Sequence, residues 1–310
     1  MTPPLIVLGG ATATGKTGLA IELAEALTAD GRVAEIVSAD SRQVYRGLDI
    51  ATAKATPADQ ARVVHHGLDL ADPDEAFTVA AFNGHVAGVL ASLDARDGIA
   101  ILAGGTGFYL RSVMQGLDTS SLPADPTVRA QVRADLEADG LERTYERLVE
   151  IAPTLAASIE RSNPRRVERA LEIALLQGDA ALPARVGYPG PVLALRLHVE
   201  PDAHVARIAA RTRAQFDGGL IDEARALRQR WDPTLQAFSA IGYREAWSVI
   251  DGDASLDAAV DADIERTIQF AKRQRTWFRS ERSFEWLDAT DVDPLPAALD
   301  AMRAFLTPRD

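Results

Sequence analysis

An α/β fold, a P-loop core with a mostly parallel sheet flanked by helices plus a helical insertion domain, is predicted by three observations. A loop, Gly10-Ala-Thr-Ala-Thr-Gly15-Lys16-Thr17, follows directly on the apolar run Leu5 to Leu8. Short β-rich runs alternate with helix-patterned stretches over the first third of the chain. A block of short helical segments bounded by prolines and a glycine then interrupts that alternation.

Taken in order, Leu5 to Leu8, Glu35 to Ser38 and Ile99 to Ala103 read as buried strands, with helices over Gly15 to Ala29 and Val79 to Asp94 between them. Strand, crossover helix, strand is the pattern of a parallel sheet covered on both faces. After Gly116 the pattern changes, and Pro126 to Gln177 reads as several helices delimited by Pro126, Gly140, Pro153 and Pro164. Pro183 to Pro191 holds three prolines and two glycines and reads as a flexible connection. The alternation Val192 to Val199 returns the chain to the sheet, and helices follow to about Arg282. The expected organisation is therefore a first core segment over 1–120, a helical insertion over 121–190 and a second core segment over 191–310.

Bulk properties narrow the class. The chain has 310 residues, 47% hydrophobic and 25% charged, enough for a large core. It has no cysteine, which excludes disulfides and thiolate–zinc sites. Met1-Thr-Pro-Pro precedes only a short apolar run, without a basic leader or a long apolar stretch, so a cytoplasmic protein with no membrane segment is expected. A net charge of -12 argues against a generally adhesive nucleic-acid binder, so any such site must be a local basic patch. No long apolar heptad is present, and a monomer is the default expectation.

The G-x4-G-K-T loop carries the strongest chemistry. Its glycines let backbone N–H groups turn into one concave nest, Lys16 adds a compact positive charge, and the Thr17 hydroxyl can ligate Mg2+. Lysine occurs only at positions 16, 54 and 272 against thirty arginines, yet position 16 keeps it. A planar guanidinium does not fit a nest sized for a point charge. No N-K-x-D segment is present for a guanine base. The Ile99 to Ala103 strand ends in Gly104-Gly105-Thr106-Gly107 where a metal-binding carboxylate is common, and the Glu35 to Ser38 strand leads instead to Asp40. Asp40 sits at the carboxyl end of a strand expected beside the loop strand, where crevices of parallel sheets open. On these grounds alone Asp40 is a general base, a helix N-cap or a Mg2+ ligand. A small-molecule or nucleotide kinase and a non-catalytic RNA-binding module both remain open.

Seven ordered elements extend the loop along nearly the whole chain. They are Gly10 to Thr17, Asp40 to Lys54, His65 to Asp69, Gly104 to Leu110, Asn163 to Glu172, Ala240 to Glu245 and Ala271 to Arg279. In these the chain resembles the bacterial tRNA dimethylallyltransferases, which attach an isoprenoid group to N6 of the adenosine 3′ to the anticodon. Ala11, Ala51 and Arg165 depart from the usual Pro, Gly and Gln of that family, and the last bears on how an RNA backbone is held.

The resemblance implies that Gly10, Ala11, Thr12, Ala13, Thr14, Gly15, Lys16 and Thr17 cradle the diphosphate of dimethylallyl diphosphate with Mg2+. It also implies that Arg211 reaches the same diphosphate, although a solvated helix arginine reads the same way in sequence. Asp40 takes the N6 proton, and Thr106 faces the target adenosine or the carboxylate; in isolation Thr106 reads as an N-cap. Ser41, Arg42 and Gln43 are placed to grip a base flipped out of the anticodon stem-loop. Arg129, Arg165, Arg166 and Arg169, with Arg161, form one basic cluster of the insertion. Lys272, Arg273, Arg275 and Arg279, with Arg282, Trp277 and Phe278, form a second, suited to phosphate contacts and base stacking. Gly242, Tyr243 and Arg244 complete the implied tRNA contacts. Either cluster alone also reads as a solvated, salt-bridged helix face. The adjacent His65 and His66 point apart on a strand without a third ligand and do not read as a metal site.

Overall fold

The computed structural model describes residues 2–117 and 121–307. They divide into two compact units, Met1–Met114 with Tyr188–Asp310, and Gln115–Gly187. The boundaries read from sequence were 121 and 190.

The larger unit is built on one sheet of six parallel strands in the order β3-β2-β4-β1-β5-β6. These are β1 (Leu5–Gly10), β2 (Ala34–Ser38), β3 (His65–His66), β4 (Ile99–Gly104), β5 (Val192–His198) and β6 (Glu285–Asp288). Its helices are α1 (Lys16–Ala29), α2 (Pro57–Arg62), α3 (Val79–Asp94) and α4 (Gly107–Met114) in the first segment. The smaller unit holds α5 (Pro126–Ile151), α6 (Pro153–Ala157) and α7 (Pro164–Gln177). The second segment of the larger unit adds α8 (Pro201–Asp217), α9 (Leu220–Arg228), α10 (Tyr243–Ile250), α11 (Leu256–Ser280) and α12 (Leu295–Leu306).

Period-two alternation sorts the core into layers. Ile6 and Leu8 of β1 pack with Leu19, Leu23 and Leu27 of α1 and Met302 of α12. Leu5 and Val7 face the other way, onto Phe82 and Val86 of α3, Tyr109 of α4 and Phe278 of α11. Each such buried side chain contributes about 1.5–3 kcal/mol by leaving water. A third cluster gathers Phe216, Leu220, Phe238, Tyr243 and Trp247 around α8, α9 and α10.

One expectation is corrected: the strand leading to Asp40 does not adjoin the loop strand, because β4 lies between them. The α1 crossover carries the chain past one position, and β4 fills it. β4 suits that central place, since Ile99 to Ala103 are apolar and buried on both faces.

In the smaller unit Pro126, Pro153 and Pro164 each open a helix at its first turn, where the missing N–H costs nothing. Gly140 breaks α5 with φ 82° and ψ 169°.

Candidate active site

The phosphate loop leaves β1 at Gly10 and enters α1 through Gly15, whose φ of 94° is a left-handed value that favours glycine. Thr14 Oγ1 and Lys16 Nζ both donate to the Ala11 carbonyl, at 2.9 and 2.6 Å. Thr12 is braced three times. Its N–H donates to Gln274 Oε1 at 2.8 Å, its carbonyl accepts from His204 Nε2 at 2.7 Å, and its hydroxyl lies 2.7 Å from Arg211 Nη1 as acceptor. Gln274 Nε2 also donates to the Gly105 carbonyl at 2.9 Å, so one amide from α11 ties the phosphate loop to the loop after β4.

Asp40 stands just beyond β2, and its Oδ1 accepts from the Arg42 N–H at 2.8 Å, an Asx turn that fixes the carboxylate locally. Thr106 supports the same segment: its N–H donates to the Ala39 carbonyl at 3.1 Å and its hydroxyl accepts from the Ser41 N–H at 3.0 Å. Gly104 makes this approach feasible, because a Cβ there would stand 2.2 Å from the Ala39 carbonyl oxygen. Gly104→Ala is therefore expected to displace the Asp40 segment and cost about 1–3 kcal/mol, read as a lowered denaturation midpoint. An unchanged midpoint would show that the two loops are not held at that spacing.

Lys16, Thr17, Asp40, Gln43, Arg211 and Gln274 are among the walls of one cavity of about 300 Å3; Thr106 supports it from behind without lining it. Its electrostatics are set by two cations and a carboxylate. Burial lowers the Lys16 ammonium to about 8, against the pull of Asp40 and with the help of Arg211. Burial also pushes the Arg211 guanidinium down, opposed by Asp263 and Asp40. His204 is lowered chiefly by burial and stays neutral at pH 7, its Nε2–H committed to Thr12.

Gln43 lines the cavity, but its amide is occupied within the chain. Its Oε1 accepts from Ser38 Oγ at 2.7 Å and its Nε2 donates to the Thr52 and Ala53 carbonyls at 3.1 Å each. Arg42 reaches the Gln236 carbonyl at 2.9 Å. Lys54, buried, ties this segment together by donating to the Tyr45 carbonyl, Asp49 and Asp69 at 2.9, 2.6 and 2.6 Å. His66 pairs with Glu35 at 2.7 Å, and among the described residues no group of three acidic or imidazole side chains is gathered.

Three residues implied in tRNA contact, Tyr243, Gly242 and Phe278, are buried instead. Tyr243 is fully buried with its hydroxyl donating to Glu223 at 2.7 Å, and burial raises that phenol strongly; its side chain belongs to the core and only Arg244 of this segment is exposed. Gly242 is buried as well and starts α10 at φ 112°. Phe278 likewise cannot stack on a base, because it lies in the core edge-on to Phe284, while Trp277 is covered by Arg111. Lys272, Arg273 and Arg279 are exposed on α11 and Arg275 is half-buried.

In the smaller unit Arg129 and Arg169 both engage the fully buried Glu172, at 3.0 and 2.7 Å, while Arg161, Arg165 and Arg166 of the same cluster are exposed. Three supporting residues were not legible as such. Gln274 lies within Ala271 to Arg279 without a chemical signal of its own, and His204 and Ser38 carry none either.

A glycine-lysine loop at the carboxyl edge of a central parallel strand, sharing a cavity with a carboxylate two strand positions away, defines an α/β P-loop protein. Residues 43–281 match the IPP transferase family. A tRNA dimethylallyltransferase of Methylococcus capsulatus is 41% identical across 98% of both chains, and one of Roseiflexus is 42% identical over 96% of this chain and 97% of its own. The crystal structure of the full-length tRNA isopentenylpyrophosphate transferase from Bacillus halodurans superposes with a TM-score of 0.69 at 35% identity, covering 97% of this chain and 94% of that one. The chain belongs to the IPP transferase family.

Proposed function

We propose that the protein transfers the dimethylallyl group of dimethylallyl diphosphate to N6 of the adenosine 3′-adjacent to the anticodon in tRNA, releasing diphosphate. The observation that carries this reading is the single cavity joining Lys16 and Arg211 on one side to Asp40 on the other. N6 attacks the allylic C1, the C1–O bond breaks, and its electron pair leaves with the diphosphate. Lys16, Arg211 and the loop N–H groups stabilise the charge that grows on the departing oxygen. Asp40 accepts the N6 proton as the nitrogen attacks. Thr106 acts through the Asp40 segment, holding the Ser41 amide.

Mg2+ is part of the proposal. Thr17 lines the cavity at the first turn of α1, and its hydroxyl is a hard-oxygen ligand that would hold Mg2+ once diphosphate oxygens complete the set. When bound, the ion neutralises diphosphate charge. Among the described residues no helix is long and apolar enough to cross a membrane. We place the activity in the cytoplasm, with the protein acting on tRNA as a monomer.

Incubation with unmodified tRNA and labelled dimethylallyl diphosphate is expected to put label on the adenosine. ATP-dependent phosphorylation of a metabolite with unlabelled RNA would replace this reading by a kinase, and RNA binding without either reaction by a passive module. For the insertion, Arg165→Gln with Arg166→Gln is expected to weaken tRNA binding and flatten the plot of log affinity against log salt by about 1.5, two phosphate contacts' worth. Folding should be nearly unaffected, because the pair broken among the described residues, Arg166 with Glu160 at 3.2 Å, is exposed. An unaltered slope would make this cluster an ordinary solvated face.

A further inference from the structure

A second pocket, of about 20 Å3, shares no lining residue with the reaction cavity. It is bordered by Arg196, His198, Arg275, Arg279 and Trp286 together with the end of β1 at Gly10. Arg196 is the unusual member. It comes from β5, it is only 6% exposed, and its guanidinium carbon lies over the Trp286 ring, 3.5 Å from the ring centroid. One nitrogen donates to the Phe278 carbonyl, while Nε is buried with no partner.

The side chains that line it include three arginines and no carboxylate. Among the described residues the ion pairs nearby join Arg111 to Glu281 and His198 to Glu200, and none includes Arg196, Arg275 or Arg279. Burial and the neighbouring Arg279 both push Arg196 below the usual guanidinium range. A buried cation beside a second cation, with a free N–H and no carboxylate, is costly unless an anion arrives from outside. The Trp286 ring holds the guanidinium in place, so the donors are already positioned.

We propose that this pocket seats one oxygen of a phosphate group held at its mouth, with Arg196 and Arg279 as the ligating cations. A space of 20 Å3 admits about one oxygen atom and excludes a nucleoside or a prenyl chain. Arginine forks suit the paired oxygens of a phosphate. The helix that supplies Arg275 and Arg279, α11, also carries the exposed cations Lys272 and Arg273, and Trp286 itself is half-exposed, so a phosphodiester of an RNA backbone is the source that fits best. That choice of source rests on the tRNA reading above; free inorganic phosphate offers the same chemistry.

The test uses the full chain and Arg196→Met, which keeps a stem over Trp286 and removes the charge. Inorganic phosphate is titrated while indole fluorescence is followed, with Trp286→Phe identifying the signal from this pocket. In parallel, a 17-nucleotide anticodon hairpin is bound at several salt concentrations. Loss of the Trp286-dependent phosphate signal, with apparent affinity down about tenfold or more, supports the site. A salt slope reduced by about 1 assigns the source to RNA, and an unchanged slope with a lost phosphate signal assigns it to free phosphate. Should Arg196→Met fold poorly, Arg279→Gln, at an exposed position, reads the same two quantities. Wild-type phosphate titration together with a wild-type slope overturns the proposal. Both measurements are of binding alone, so a wild-type protein that failed to transfer prenyl groups would sink the proposed function and leave this site standing.

Discussion

Asp40→Asn slows prenyl transfer about a thousandfold in single-turnover measurements with labelled donor, while tRNA affinity stays within a few fold. General-base removal commonly costs between about a hundredfold and ten-thousandfold. The amide is nearly isosteric and keeps an oxygen for the Arg42 N–H, so the turn that presents it should survive. What it loses is the capacity to take a proton. Because the Asp40 carboxylate also raises the Lys16 ammonium, its loss should carry that amine further below about 8, and the residual activity should fall away at lower pH than in the wild type. A wild-type rate in Asp40→Asn would remove Asp40 from the chemistry and leave it a structural turn residue.

The parts of the site that sequence exposed are those whose chemistry lies along the chain. Gly10 to Thr17 could be read because nest, lysine and helix start are consecutive, and Val79–Asp94 because a long helix repeats its pattern often enough to be seen. The proline-opened helices of the smaller unit were legible for a local reason too, since proline fixes its own φ. Strands β3 and β6 escaped, being two and four residues long, too short for any period to register. Strand order also escaped, because nothing local in Glu35 to Ser38 says that β4 will intervene. Tyr243 lies in the core for a reason that sequence does not show. Sequence shows which groups a side chain carries, but a partner such as Glu223 decides whether those groups face water. Gln274, 262 residues from Thr12, is legible only in three dimensions.

Lys16→Ala lowers kcat/KM for the allylic donor by about a hundredfold or more and abolishes a pH dependence that the wild type shows. Removing one preorganised donor from a developing anion typically costs two to three powers of ten. The pH argument follows from the sign of the Lys16 shift. In the free protein the amine is lowered to about 8, so below that pH it is charged and donor capture is full. Above it the charged fraction falls about tenfold per unit, and kcat/KM falls with it. A bound diphosphate favours the ammonium and carries its pKa back up, so near pH 8 donor binding must draw a proton from solution. Calorimetry of diphosphate binding in two buffers of different ionisation enthalpy reads that proton directly. Uptake should approach half a proton per site at pH 8 in the wild type and be lost in Lys16→Ala, and equal uptake in both proteins would place the titrating group elsewhere. Lys16→Arg separates charge from shape, since a guanidinium stays ionised throughout but is too broad for the Ala11 carbonyl that Lys16 reaches at 2.6 Å. Its donor capture should therefore be weak yet independent of pH across this window, a combination that a purely structural role for Lys16 does not produce.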